Sequence, residues 1–181
     1  MYFNQYQCPF LDESYCGYRN EMNMNNRPRR AVANIVGGPL APNIRGTVTF
    51  TDVRGGTEVS VEVNGLPPYR PGAAGRPQVG PHGFHIHQGG SCRVGNNAQP
   101  FTAAGEHWNP TNQPHGNHAG DFPVLFSNNG YARMTFFTNK FRVPQIIGKT
   151  VVIHEGPDDY KTQPAGGSGR RLACGVIQAA R

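Results

Sequence analysis

The residues most able to do chemistry in this sequence are histidines gathered in three short segments flanked by glycine. The segment GFHIHQ places His85 and His87 two residues apart, and the segment KTVVIHEG carries His154. The third segment, EHWNPTNQPHGNHAGD, contributes His107, His115, His118 and Asp121. In a strand, residues i and i+2 project from the same face, so the first two imidazoles can share one metal ion.

These seven side chains match the ligand preferences of two different metals. A tetragonal set of nitrogens suits Cu(II), whereas three nitrogens and one carboxylate suit tetrahedral zinc. Seven ligands are one too few for two four-coordinate sites, and one histidine that binds through both ring nitrogens would complete the count. Taken alone, GFHIHQ would more simply be two independent surface histidines, but the other two segments argue against that interpretation.

The scaffold that positions these ligands is predicted to consist of short strands. The chain contains 24 glycines and 16 prolines, and segments such as TEVSVEV alternate apolar and polar residues, which is typical of half-buried strands joined by turns. The predicted strands lie near residues 31–36, 46–53, 57–64, 82–87, 123–126, 131–138, 149–154 and 173–178. Eight short strands of this kind predict an all-β sandwich or barrel.

Composition and charge narrow the class of protein further. Residues 1–30 are rich in Asn, Met and Tyr and predict a flexible N-terminal extension ahead of a domain over 31–181. The net charge is +6, with dispersed Lys and Arg, which favours a small anionic substrate over nucleic acid. No apolar run approaches the roughly 18 residues of a membrane span. The N-terminus lacks a secretory signal pattern, which predicts a cytoplasmic protein or, for a viral one, the host cytoplasm or virion.

Five motifs together resemble the copper/zinc superoxide dismutases: GFHIHQGGSC, GEHWNP, HAGD, VVIHEGPDD and GGSGRRLACGVI. The resemblance covers about residues 31–181 and favours the eukaryotic type, with a looser likeness to forms from large DNA viruses. It implies an eight-stranded antiparallel Greek-key barrel or sandwich with long metal-binding loops. It also implies an antioxidant enzyme that converts superoxide to dioxygen and hydrogen peroxide by Cu(II)/Cu(I) cycling, with a supporting zinc site.

The resemblance also implies a role for each matching residue. The implied copper ligands are His85, His87, His107 and His154. The implied zinc ligands are His107, His115, His118 and Asp121. His107 would bridge the metals and carry a catalytic proton, and Arg171 would hold the incoming anion. Asp158 would link a copper-ligand histidine to a zinc-ligand histidine, and Cys92 would form a disulfide with Cys174.

Several features leave alternatives open. The same fold without turnover would make a copper-binding or copper-delivery module, and a non-catalytic protein could instead use the basic surface. HGNH leaves only two residues between its histidines, and the short loop after His154 carries few charges to guide an anion, so Arg170 or Lys149 is an alternative guide. Cys8 and Cys16 are expected to be free thiols, or else a local or intersubunit disulfide. A homodimer is expected from the resemblance, which leaves open whether a copper chaperone is a partner.

Overall fold

Seven antiparallel strands form one curled sheet in the computed structural model, which describes residues 29–180. The strands are β1 (Arg30–Gly37), β2 (Arg45–Val53), β3 (Gly56–Asn64), β4 (Phe84–His87), β5 (Ala132–Thr138), β6 (Thr150–His154) and β7 (Arg171–Ala179). Their order across the sheet is β4-β6-β7-β1-β2-β3-β5. The predicted all-β class is therefore confirmed. The predicted extension, with both of its cysteines, lies outside the described residues apart from its last two positions.

The alternation found in the sequence predicts correctly which residues enter the core. In β3, Val59, Val61 and Val63 are fully buried, while Glu58 and Glu62 are exposed. Aromatic side chains fill the space enclosed by the curled sheet: the ring of Phe122 lies 5.2 Å from Phe84 and 6.5 Å from Phe50. Burial of each such ring stabilises the fold by about 1.5–3 kcal/mol.

The predicted strand at 123–126 is wrong. Of its residues only Leu125 makes strand-like contacts, because its N–H and carbonyl each pair with the backbone of His82 at 2.8 Å. Pro123 has no N–H to donate, and the N–H of Val124 donates to the hydroxyl of Tyr160 at 3.0 Å. The ladder therefore cannot extend beyond one residue pair. The other seven predicted strands are present, with ends that differ by at most two residues.

Helical structure in the described part of the chain is short. A 3-10 turn covers Thr102–Ala104, and α1 covers Val143–Ile146. No helix among the described residues is long and apolar enough to cross a membrane.

Candidate metal centre

Strands β4 and β6 place three histidines on one face of the sheet. His85 pairs with Val152, and Val152 is two residues before His154, so the two histidines project from the same side of adjacent strands. His87 follows on that side, while Ile86 points into the core. Every residue of both strands is buried, because loops cover the outer face.

The loop 106–121 lies along the free edge of β4 and brings the remaining ligands to this face. Trp108 N–H donates to the carbonyl of Ile86 at 2.8 Å, and Ile86 N–H donates to the carbonyl of Gly120 at 2.9 Å. These bonds place His107 beside His87 and Asp121 beside His85. The loop is neither helix nor regular strand, but hydrogen bonds to the edge of β4 fix it near both of its ends, at Trp108 and at Gly120.

Two groups of potential ligand atoms result, and in each group all the atoms lie within 4.8 Å of one another. The first group consists of His85, His87, His107 and His154. The second consists of His107, His115, His118 and Asp121. These are the two sets that the resemblance implies. Both histidines of HGNH reach the second group, although only two residues separate them.

The spacing in the second group fits a tetrahedral ion. The carboxylate oxygens of Asp121 lie 3.0 Å from Nδ1 of His107, 3.2 Å from Nδ1 of His115 and 3.3 Å from Nδ1 of His118. A zinc tetrahedron with arms of about 2.0–2.1 Å has edges of about 3.3–3.4 Å. These three distances, measured from Oδ1 to His107 and His118 and from Oδ2 to His115, are therefore close to the ligand separation that zinc requires.

One nitrogen of each strand imidazole is fixed by a hydrogen bond, which leaves the other free for a metal. His87 Nδ1 donates to the carbonyl of Gly105 at 2.8 Å, and His154 Nδ1 donates to the carbonyl of Gly169 at 3.3 Å. Their Nε2 atoms consequently face each other at 3.2 Å. Such outer partners set the tautomer and ring orientation of metal-binding histidines.

Asp158 fixes the remaining two rings and joins the two groups. Its Oδ2 accepts from His85 Nε2 at 2.7 Å, and its Oδ1 accepts from His115 Nε2 at 2.8 Å. The side chains of all three residues are completely buried. This is the carboxylate link that the resemblance implies.

Four buried ring nitrogens have no hydrogen-bond partner in the described part of the chain. They are His85 Nδ1, His107 Nε2, His115 Nδ1 and His118 Nδ1. A buried polar atom without a partner costs about 1–3 kcal/mol, so it needs an explanation. All four atoms point into the two ligand groups, and copper and zinc ions would satisfy them. The donor set thus fits both metals.

The protonation of these groups suits metal binding near neutral pH. Burial, followed by the charges of His154 and His107, lowers the pKa of His85 well below its usual range. Burial and the charge of His107 lower the pKa of His154 to about 3. Burial opposes ionisation of Asp121, but the hydrogen bond from His107 and the charge of His115 outweigh it and bring that pKa to about 2. Neutral imidazoles and an ionised carboxylate are the forms that bind metal.

A cleft of about 470 Å³ opens onto the first group and contains Arg171. The guanidinium donates to the carbonyl of Phe101 at 2.6 Å and to that of Gly105 at 2.7 Å. His87, His107 and His154 line the same cleft. Because a guanidinium has five N–H donors, those not directed at the two carbonyls remain for an anion.

Neither Arg170 nor Lys149, the two alternatives for guiding an anion, places an unpaired charge in the cleft. Arg170 lines the cleft, but its Nε and Nη2 atoms donate to both oxygens of Glu155 at 2.8 and 2.7 Å. Lys149 lies over the ring of Trp108, 5.2 Å from its centroid, and is not part of the cleft wall. Arg171 is therefore the cation in this cleft with no carboxylate bonded to it among the described residues.

The implied disulfide is present between Cys92 and Cys174, which are 82 residues apart in sequence. It ties the loop after β4 to β7, the strand that begins with Arg171. Phe101 packs in the same small apolar cluster as the disulfide. The bond thus restrains the loop whose carbonyls hold the guanidinium.

Comparison with known proteins agrees with this geometry. The family model described as copper/zinc superoxide dismutase matches residues 44–177. The chain belongs to the copper/zinc superoxide dismutase family. It is 39% identical to the superoxide dismutase [Cu-Zn] of Deinococcus radiodurans over 153 residues, which cover 75% of this chain and 78% of the relative. A solved Cu/Zn superoxide dismutase from Brucella abortus superposes with a TM-score of 0.66 at 30% identity, covering 82% of this chain and 99% of that chain.

A viral superoxide dismutase is also similar to the chain. The superoxide dismutase [Cu-Zn] of Paramecium bursaria Chlorella virus 1 is 30% identical over 176 residues, covering 88% of this chain and 83% of the relative. This match agrees with the predicted likeness to forms from large DNA viruses. The relatives named here are otherwise bacterial, and the eukaryotic type stays a prediction.

Sequence reasoning did not predict the groups that fix the guanidinium of Arg171. The acceptors are the carbonyls of Phe101 and Gly105, and backbone atoms have no residue-type signature. Sequence reasoning also missed Gln163, whose side chain binds the backbone of His115. A polar residue beside a proline in a loop gives no signal for such a contact.

Proposed function

We propose that this chain converts two superoxide anions to dioxygen and hydrogen peroxide. One superoxide gives up an electron and leaves as dioxygen, and the other accepts that electron and two protons. The proposed copper ligands are His85, His87, His107 and His154. The proposed zinc ligands are His107, His115, His118 and Asp121. The observation that carries the proposal is that both groups share His107 beside a cleft that holds a fixed cation.

The copper ion would supply the one-electron redox couple, and zinc, which has no redox chemistry, would support the site structurally and electrostatically. His107 contributes two differently placed nitrogens. Its Nδ1 faces Asp121 at 3.0 Å, while its Nε2 is buried and has no partner. The Nε2 atom is therefore the position at which this ring can hold a proton destined for the peroxide.

Arg171 would bind and orient the anion. Two carbonyls fix its guanidinium, so its charge is in place before the substrate arrives and little reorganisation is needed. A copper-binding or copper-delivery module without turnover would have no need of a restrained cation that opens onto the ligand nitrogens. This arrangement favours the enzyme over the module.

Substitution of Arg171 tests the proposal in protein loaded with copper and zinc. Each charge-assisted hydrogen bond contributes about 1.5–3 kcal/mol, so Arg171→Ala is expected to lower kcat/KM for superoxide roughly 10- to 100-fold. Arg171→Lys keeps the charge but loses the fork of donors, and its loss should be smaller. Pulse radiolysis with superoxide measures both, and metal analysis confirms equal loading. An unchanged rate in the alanine variant would contradict the assignment.

The homodimer, the copper chaperone and the cytoplasmic location rest on the resemblance and the N-terminal sequence. They stay predictions.

A further inference from the structure

The turn at residues 115–118, which carries two of the proposed zinc ligands, is held partly by the loop that follows His154. Within the turn, Asp121 Oδ2 accepts from the N–H groups of Gly116 and His118 at 2.9 and 3.0 Å. The backbone of His115 finds its side-chain partner elsewhere, in the loop that follows His154. The position of His115 therefore depends on a segment more than forty residues away in sequence.

Gln163 binds both backbone polar groups of His115 through its side-chain amide. Its Oε1 accepts from the His115 N–H at 2.8 Å, and its Nε2 donates to the His115 carbonyl at 3.3 Å. The same Nε2 donates to the carbonyl of Lys161 at 3.1 Å. One amide thus fixes the peptide groups on both sides of the ligand, much as a neighbouring strand would.

The segment that carries Gln163 is itself well braced. The carboxylate of Asp159 accepts from the N–H groups of Lys161 and Thr162, both at 2.8 Å. Gly166 N–H donates to the carbonyl of Thr162 at 2.7 Å. These bonds close a turn around Gln163, so its amide is held in place from its own side of the contact.

The same loop also holds the ring of His115 through Asp158. Ring and backbone are thereby fixed by two residues five positions apart. With the ring contact alone, the N–H and carbonyl of His115 itself would lack a protein partner among the described residues, and the peptide groups on either side of the ligand could tilt and carry Nδ1 away from the other ligand atoms. The amide of Gln163 removes that freedom.

We propose that Gln163 is a positioning residue for the zinc site, which acts by fixing the backbone of His115. The inference rests on the zinc assignment of the proposed function. Loss of an outer partner of a metal ligand lowers metal affinity about 10- to 100-fold. We expect an effect near tenfold here, because Gln163 is exposed and the ring contact to Asp158 remains. The copper group contains no backbone contact to Gln163, so copper affinity should be unchanged.

The test compares Gln163→Met with Gln113→Met in the full chain. Methionine keeps the length of the side chain and removes the amide. Gln113 is the matched control, because it is an exposed glutamine in loop 106–121, and its side-chain hydrogen bonds, to Thr111 and Asn117, reach no backbone group of a proposed ligand. Zinc affinity is measured by competition with a chelator. We expect the zinc affinity of Gln163→Met to fall roughly tenfold, which lies in the range found when an outer partner of a metal ligand is lost. The zinc affinity of Gln113→Met should be unchanged.

Two further readouts separate positioning from a general contribution to folding. Cobalt(II) placed in the zinc site should show an altered visible spectrum in Gln163→Met alone, since ligand geometry changes. The Tm of the metal-free protein should be the same in both variants. A lowered Tm with unchanged zinc affinity and cobalt spectrum would overturn the inference. Failure of the unmodified protein to bind stoichiometric zinc would instead refute the zinc assignment itself.

Discussion

Asp158→Asn is a demanding test of the metal centre, because it changes one atom and keeps the shape of the side chain. The carboxylate accepts three hydrogen bonds, from His85 Nε2, His115 Nε2 and the N–H of Tyr160, at 2.7, 2.8 and 2.7 Å. All three partners are donors. An amide can accept on one side only, so its NH2 group must face one of the donors.

The geometry predicts which donor loses its acceptor. His115 and Tyr160 both donate to Oδ1, whereas His85 alone donates to Oδ2. The amide oxygen should therefore take the Oδ1 position, and the NH2 group should face His85. The His85 ring must then either break the contact or move its proton to Nδ1, the atom that points at the proposed copper site.

The magnitude follows from the role of such outer partners. Their loss typically lowers metal affinity 10- to 100-fold, which corresponds to about 1.4–2.7 kcal/mol. We expect a loss of this size for copper and a smaller loss for zinc, although Asp158 touches both groups. Without the structure, equal losses would be the natural expectation.

Chelator competition, carried out separately for copper and zinc, measures both affinities. Asp52→Asn is the control, because Asp52 accepts hydrogen bonds from Thr57 and Val143 and takes no part in either ligand group. Unchanged copper affinity in Asp158→Asn would refute the reasoning. A loss confined to zinc would show that the amide adopts the opposite orientation.

Two further predictions concern stability. Replacing Cys92 and Cys174 by alanine removes a link between positions 82 residues apart, and the chain-entropy relation predicts that the free energy of unfolding falls by about 4.5 kcal/mol. Guanidinium unfolding of both proteins under non-reducing conditions measures this loss. A loss below about 1 kcal/mol would contradict the relation. Metal-free protein should lose stability as pH falls from about 6.5 towards 3. Burial and the charge of His107 lower the pKa of His154 to about 3 in the folded protein. As the pH falls below about 6.5, the unfolded chain therefore binds a proton at this position that the folded protein does not, and the equilibrium shifts towards unfolding. Urea unfolding at pH 8, 6 and 4.5 tests this, and a flat profile would argue against it.

The sequence predicts the fold wherever a single strand pattern decides the structure. Alternation identifies β3 because Val59, Val61 and Val63 face one core. It fails at 123–126, where only Leu125 is buried, because Pro123 has no N–H and the N–H of Val124 donates to the hydroxyl of Tyr160. Whether such a segment joins a sheet depends on which distant residue binds its backbone N–H groups, here Tyr160, and local periodicity carries no information about that residue.

The site shows the same division between side-chain type and placement. Histidine and aspartate point to the proposed ligands because imidazole and carboxylate are among the few side-chain groups that bind these metals. The supports of the site are of ordinary types, such as the amide of Gln163 and the carbonyl of Phe101, and only their location gives them a role. Sequence therefore predicts what binds metal more readily than what holds the binding groups still.

The carbonyl of Gly105 accepts from both His87 Nδ1 and Arg171 Nη2, at 2.8 and 2.7 Å. One peptide carbonyl thus holds both an imidazole of the proposed copper group and the cation proposed to bind the anion. Gly105 has a φ of +72°, where a glycine is strongly preferred. Natural variation at this peptide cannot retune substrate capture without also shifting a metal ligand. Adaptation of the enzyme to a different salt concentration or flux should therefore alter charges elsewhere on the cleft rim and leave this peptide alone.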